Sequence, residues 1–411
     1  MALQNNRGLR RALLEAEQRR ALYQDSQLAP NPTLQLGAGV PLDMGATPLL
    51  AMLGAQVDWL WKRDATIGQA DARLRSALFE AAAITVATAV EVHAAYADVA
   101  SAEEINALSL ADVAVAQRVL SATQAQFTAG EARGEAVNDA RINMAEASTR
   151  QMEAQQALVV AKARLLKAMG RGDLGLDWST KAQCIAQAQA EMALPVAPAP
   201  QDQADLIALV QQQRLDLRAA QARIHGAEQR LALARAQVWP SLMVGGGWEK
   251  DMEGDQAAMF QAQITLPLFN QGQFRIKAAE LEVQMARLEL DAVTQQALLD
   301  AHRALGALSM AEHHAVQIRD VSLAAYADNK RLLEASARHG ETAKVRLWQS
   351  EHQENHLRIQ LAKSQRDAVL AALDFQSVLA GARLPDTPQP TMASAPVGMG
   401  AFSLTAQEGM Q

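Results

Sequence analysis

Cysteine is almost absent: Cys184 stands alone in 411 residues, which excludes an internal disulfide framework and any Cys-based zinc cage. Aromatic residues make up only 4%, too few for an ordinary enzyme core, while Ala, Leu, Gln, Glu and Arg dominate the long runs and favour closely packed helices. There is no excess of positive charge, since 38 Lys plus Arg face 45 Asp plus Glu for a net charge of -7. A phosphate-tracking surface needs the opposite balance, so no nucleic-acid partner is expected. No consecutive apolar run reaches roughly 18 residues, the length a membrane-spanning helix needs. The start, Met1-Ala2-Leu3-Gln4-Asn5-Asn6-Arg7-Gly8, has no apolar signal core.

Proline and glycine are scarce in two long stretches, and that scarcity exposes an internal repeat. From Asp64 to Thr128, and again from Gln271 to Arg338, proline is missing and glycine nearly so, which predicts helices of roughly 65 residues, about 100 Å long. Each is followed by a Gly turn, at Gly130 or Gly340, and a return helix, 137–169 or 342–380, giving two antiparallel hairpins. Gln56-Val57-Asp58 lines up with Gln263-Ile264-Thr265 about 207 residues later, and Gly170 lines up with Gly381. A first repeat over 1–170, a mixed connector over 171–203 and a second repeat over 204–381 are therefore expected. The Pro-, Gly-, Met- and Ser-rich residues 382–411 read as a disordered tail.

Four short segments alternate with period two: Thr33 to Val40, Leu53 to Trp61, Ser241 to Trp248 and Phe260 to Leu268. In the last of these Phe260, Ala262, Ile264, Leu266 and Leu268 share one face, and Gln261, Gln263, Thr265 and Pro267 the other. A soluble sheet with one buried face would alternate in the same way. Trp59, Trp61 and Trp239 near the strand–helix junctions, with Trp248 a strand length away, favour a membrane barrel with an aromatic girdle. Four strands cannot close around a channel, so several copies must contribute, and three would supply twelve strands.

In this order of elements the chain resembles the TolC-type outer-membrane efflux factor family. The likeness rests on Ala2-Leu3-Gln4-Asn5-Asn6 with Leu9, Pro30-Asn31-Pro32-Thr33-Leu34, Val238-Trp239-Pro240-Ser241-Leu242, Phe127 with Gly130-Glu131, and Gly340-Glu341-Thr342. The strongest match, Leu266-Pro267-Leu268-Phe269-Asn270-Gln271-Gly272-Gln273, is closest in wording to the heavy-metal Czc-type branch. The resemblance implies a mainly α fold with a small β part: long hairpins forming a periplasmic α-barrel, and four strands per protomer in a trimeric 12-stranded transmembrane β-barrel. It implies a homotrimer in the outer membrane that meets a periplasmic adaptor, or membrane fusion protein, and an inner-membrane pump. The duct would be a passive exit for metal ions or small toxic compounds, with no enzymatic activity and no cofactor. Because relatives are exported behind a signal peptide, the resemblance implies an N-terminus that is truncated or miscalled.

Several residues are candidates within that reading. Gly130, Glu131, Gly340 and Glu341 are the adaptor-contact tips, because a tight reversal favours a residue tolerant of positive φ. Asp139, Glu351 and Glu354 could form an acidic ring at the entrance, where symmetry concentrates charge, although a solvated helix face is the plainer reading. His352 and His356 share a helical face at i and i+4 but supply only two ligands, so no metal site is expected there. A soluble or periplasmic helical-hairpin scaffold, or an adaptor without channel activity, is the alternative. The strands are unexplained by the scaffold, and an adaptor expects one hairpin where two occur in tandem.

Overall fold

The computed structural model describes residues 2–39, 47–172, 175–182, 184–192, 200, 202–251, 253–337 and 341–382. The expected tail lies outside these residues, apart from Ala382.

Each half begins with a broken helix. α1 (Ala2–Asn5) and α2 (Arg7–Ser26) meet at Asn6, whose side chain accepts from Leu9 N–H at 3.0 Å and caps α2. α6 (Gln203–Gln213) and α7 (Leu215–Ala236) meet at Arg214, whose extended backbone interrupts the helical run. The Arg214 side chain is buried at the break and forks onto Asp216 at 2.6 and 3.0 Å, which fixes the bend.

β1 (Thr33–Ala38), β2 (Leu49–Gln56), β3 (Leu242–Lys250) and β4 (Gln256–Ile264) form one antiparallel sheet in the order β1-β2-β3-β4. Two strands are displaced from their expected positions. β2 stops at Gln56 instead of running to Trp61, because Asp58 accepts from Lys62 Nζ at 2.5 Å across a first helical turn that already contains both tryptophans. β4 runs from Gln256 instead of Phe260 and ends before Pro267, which has no N–H to give a ladder.

α3 (Trp59–Thr128) and α4 (Gly134–Ala168) make the first hairpin. Gly130, at φ 77°, closes α3 with Glu131 N–H bonding back to the Gln126 carbonyl, the six-residue closure of a Schellman turn. Gly170 and Gly381 repeat it at φ 68° and 67°, and a Cβ on either would collide with the broken helix of its own half, at Asn5 or Asp216.

The second hairpin pairs α8 (Gln273–Val316) and α9 (Leu323–Ala337) with α10 (Glu341–Ala380). Its first arm is not the single helix expected over 271–338: Gln317–Ser322 is a π-helical turn. The wider turn keeps Ile318 in the core while Arg319 and Asp320 pair with each other in solvent.

Packing is dominated by small side chains. Ala95, Ala97, Ala100, Ala297 and Ala301 are fully buried, which lets long helices approach closely over their whole length. α3 is the central element, lying against α2, α4, α7 and α10. One 18-residue window of α3 has a mean hydropathy of 1.4, so by length and composition it could cross a membrane. Val90, Ala94, Ala97, Val99 and Ala100 instead belong to two buried clusters shared with α4, α10 and α5 (Ile185–Met192), so this stretch is a core helix. Glu104 accepts from Ile185 N–H, and Glu103 from the backbone and hydroxyl of Thr180, tying the connector to α3.

Candidate functional site: the sheet, the hairpin tips and a buried polar clasp

The sheet register decides which side chains share a face. Leu34 pairs with Leu53, Leu53 with Gly246 and Gly246 with Phe260; two residues along, Leu36, Ala51, Trp248 and Ala258 lie in one cross-strand row. This face is apolar, and Phe260 on it is 91% exposed within the protomer. The other carries Thr33, Gln35, Gln56, Gln261 and Gln263, with Met52, Met243 and Met259 lying beside Gly54, Gly245 and Gly247. Among the described residues neither β1 nor β4 has a second neighbour, so the sheet ends in two unpaired edges.

The four tryptophans occupy different settings. Trp59 opens α3 with the Arg63 guanidinium 5.8 Å from its ring centre, and Trp61 lies two residues on. Trp239 is largely exposed between α7 and β3, while Trp248 projects from the apolar face of β3. Phe269 and Phe274, at the β4–α8 junction, are 95% and 82% exposed beside exposed Leu266 and Leu268. The sequence reading quoted Phe269 only within the family motif and passed over Phe274, though two phenylalanines between a strand and the next helix are the kind of amphipathic boundary that lipid-facing strands show.

At the tips, Gly130 and Glu131 form the described turn between α3 and α4. Gly340 lies outside the described residues, and Glu341 is the first residue of α10. The three entrance acids are divided between the two hairpins, Asp139 on the first and Glu351 and Glu354 together on the second. Asp139 is exposed on α4 with no ion pair among the described residues. Glu351 on α10 pairs with Arg118 at 3.2 Å, and Arg118 also lies over the Trp348 ring. Glu354 is held by Lys330 at 2.9 Å and Arg358 at 2.6 Å. Burial pushes the Glu354 carboxyl up, but these two cations outweigh it and hold it below the usual carboxylate range.

His352 and His356 have separate partners. His352 Nδ1 lies 2.6 Å from Asp112 Oδ1, and His356 Nε2 lies 3.1 Å from the Gln360 amide. Among the described residues no group of three or more His, Cys, Asp or Glu side chains is gathered closely enough to hold a metal.

The Asp112 contact belongs to a clasp that sequence reasoning missed. Asp112 is 3% exposed on α3, with His352 of α10 on one oxygen and Arg150 of α4 at 3.6 Å from the other. A carboxylate in the apolar run Leu110-Ala111-Asp112-Val113-Ala114 was the available signal, but its partner is 240 positions away.

Residues 206–381 match the family of outer membrane efflux proteins. No curated protein matches the chain. Among solved structures, CusC, described for the conformational changes accompanying its folding and transmembrane channel formation, is similar with a TM-score of 0.75 at 18% identity, covering 92% of this chain and 90% of its own. The outer membrane protein VceC of Vibrio cholerae gives 0.72 at 17% identity over 93% of this chain and 95% of its own. The CmeC outer membrane channel of Campylobacter jejuni gives 0.73 at 15% identity over 94% and 85%. At these identities the likeness establishes the fold of the protomer, long helical hairpins joined to one four-stranded antiparallel sheet.

Proposed function

We propose that the chain is a TolC-type outer-membrane efflux protein, on the match of residues 206–381 to that family and a fold shared with solved outer-membrane channels, and that three copies close a passive exit duct through the outer membrane. The observation that carries this reading is the sheet: one apolar face, one face rich in Gln and Gly, and two unpaired edges. A four-stranded sheet leaves those edges open, whereas β1 of one copy against β4 of the next satisfies both and closes twelve strands. The apolar face then meets lipid, with Trp59, Trp61, Trp239, Trp248, Phe269 and Phe274 at its boundaries. The hairpins extend this barrel as a tunnel through the periplasm.

The tips at Gly130–Glu131 and Gly340–Glu341 are where a periplasmic adaptor docks, with an inner-membrane pump supplying the energy. Metal ions or small toxic compounds are the cargo, and the wording of Leu266 to Gln273 favours the heavy-metal branch. Asp139 is the entrance acid with its charge still available, since Glu351 and Glu354 are paired within the protomer.

The test is native mass in detergent of chain exported behind a signal sequence, followed by single-channel recording in planar bilayers. Membrane-extracted trimers with a stable conductance are expected, and Asp139→Lys should lower the ratio of cation to anion permeability. A detergent-independent monomer without conductance would overturn the duct.

A further inference from the structure

Below the sheet, α2, α3, α7 and α8 pack side by side in that order. A cavity of about 450 Å³ is lined by residues from all four, including Glu15, Arg73, Arg223 and Glu282. Side chains of the two outer helices can converge over the two inner ones only on the concave side of such a layer. Its floor is small and apolar: Ala72, Ala222 and Ala227 are buried, and Gly226 approaches so closely that a Cβ there would lie 3.2 Å from the Ala72 methyl.

The charges around this floor are equal in number but not fully paired. Four arginines and four glutamates line the cavity or its rim. Arg223 takes two of the glutamates, Glu80 and Glu289, at 2.8 Å each. Arg230 takes Glu282 at 2.8 Å, and Arg19 takes Glu15 at 3.9 Å. All four carboxylates are thereby engaged, and Arg73 has no hydrogen-bonded or ion-paired partner among the described residues. Arg73 is exposed toward the cavity mouth, and its partial burial, then the positive charges of Arg230 and Arg19, push its guanidinium below its ordinary value. An anion placed there would relieve both repulsions, and a carboxylate would accept the planar fork of donors in bidentate fashion.

We propose that the Arg73 cavity is a binding site for small organic anions, with the carboxylate taken by Arg73 and the apolar body lying on the alanine floor beside Met285. The volume falls in the range of small-molecule sites and exceeds what a bare inorganic ion needs. The assignment rests on the duct reading only in placing the concave side along the tunnel, where it would name one class of cargo.

The experiment uses the full chain in detergent and measures binding of salicylate, its neutral amide and inorganic phosphate by calorimetry. Salicylate is expected to bind at least about tenfold more tightly than the amide, the scale of one charge-assisted hydrogen bond. Arg73→Gln should remove that preference, Arg73→Lys should restore part of it, and Arg141→Gln on α4 should leave it unchanged. Equal binding of salicylate and its amide, or binding untouched by Arg73→Gln, would overturn the site. Phosphate competing as well as salicylate would overturn the organic-anion assignment. Conductance recorded on the same preparation separates the two ideas: a conducting trimer that ignores salicylate sinks the cavity alone, and a binding chain that never conducts sinks the duct alone.

Discussion

Replacing Asp112 should loosen α10 from α3, by an amount that follows from the contact. The carboxylate side chain is 4% exposed and meets His352 at 2.6 Å, whereas Arg150 stands farther off at 3.6 Å and is a third exposed. A hydrogen bond to a charged group in such a place contributes about 1.5–3 kcal/mol, while a partly solvated pair like Arg150 adds less than about 1 kcal/mol. Coupling between Asp112 and His352 of about 2 kcal/mol is therefore expected, roughly a 30-fold change in a local opening equilibrium. Hydrogen exchange read by mass spectrometry on peptides spanning 105–118 and 346–358 measures it. Asp112→Asn and His352→Gln should each speed exchange in both peptides, and the double variant should be little worse than either alone. If the two effects add, the residues act independently and the clasp does not exist. Unchanged exchange would mean that water replaces the contact at no cost.

Three other outcomes are expected. Gly247→Ala should strongly reduce the yield of assembled, membrane-extracted protein, because its Cβ would fall 2.3 Å from the Ala51 carbonyl oxygen; Gly246→Ala, whose nearest neighbour is a Phe260 ring carbon at 3.7 Å, should not. Equal yields would refute the register of β2 against β3. Gly130→Ala meets nothing within 4 Å and should cost only the left-handed backbone, about 1–2 kcal/mol, whereas Gly381→Ala adds a clash with Asp216 Oδ1 at 2.5 Å and should lower the melting temperature further. Burial holds His93 below the ordinary histidine range, and its Nδ1 is buried without a partner. Its folded pKa lies below its unfolded one, so this contribution is complete above about pH 6.5 and is lost as pH falls below that value. His93→Phe should flatten the acid side of melting temperature against pH, and an unaltered profile would show that another group titrates there.

Local patterns were legible wherever one stretch of chain contains its own reason. The long hairpin arms follow from missing proline, and Gly130, Gly170 and Gly381 end helices because φ near 70° is open to glycine. The face shared by Leu34, Leu53, Val244 and Phe260 follows from alternation alone, since each strand places every second residue on one side. Strand ends were less legible. Trp59 and Trp61 continue the β2 alternation on paper, but the Asp58–Lys62 pair across a helical turn ends the strand before them.

What only the tertiary structure decided is pairing across the chain. Glu351 and Glu354 read as free entrance charges until α3 and α9 bring Arg118 and Lys330 to them. His352 and His356 read as a pair on one helix face, yet packing gives His352 to Asp112 and leaves His356 with Gln360. Arg73 reads as one surface arginine among many, and only the convergence of four helices shows every neighbouring carboxylate already engaged. Composition and periodicity act within a few turns of one element. Charge compensation depends on which elements lie side by side, and that is settled by packing of the whole chain.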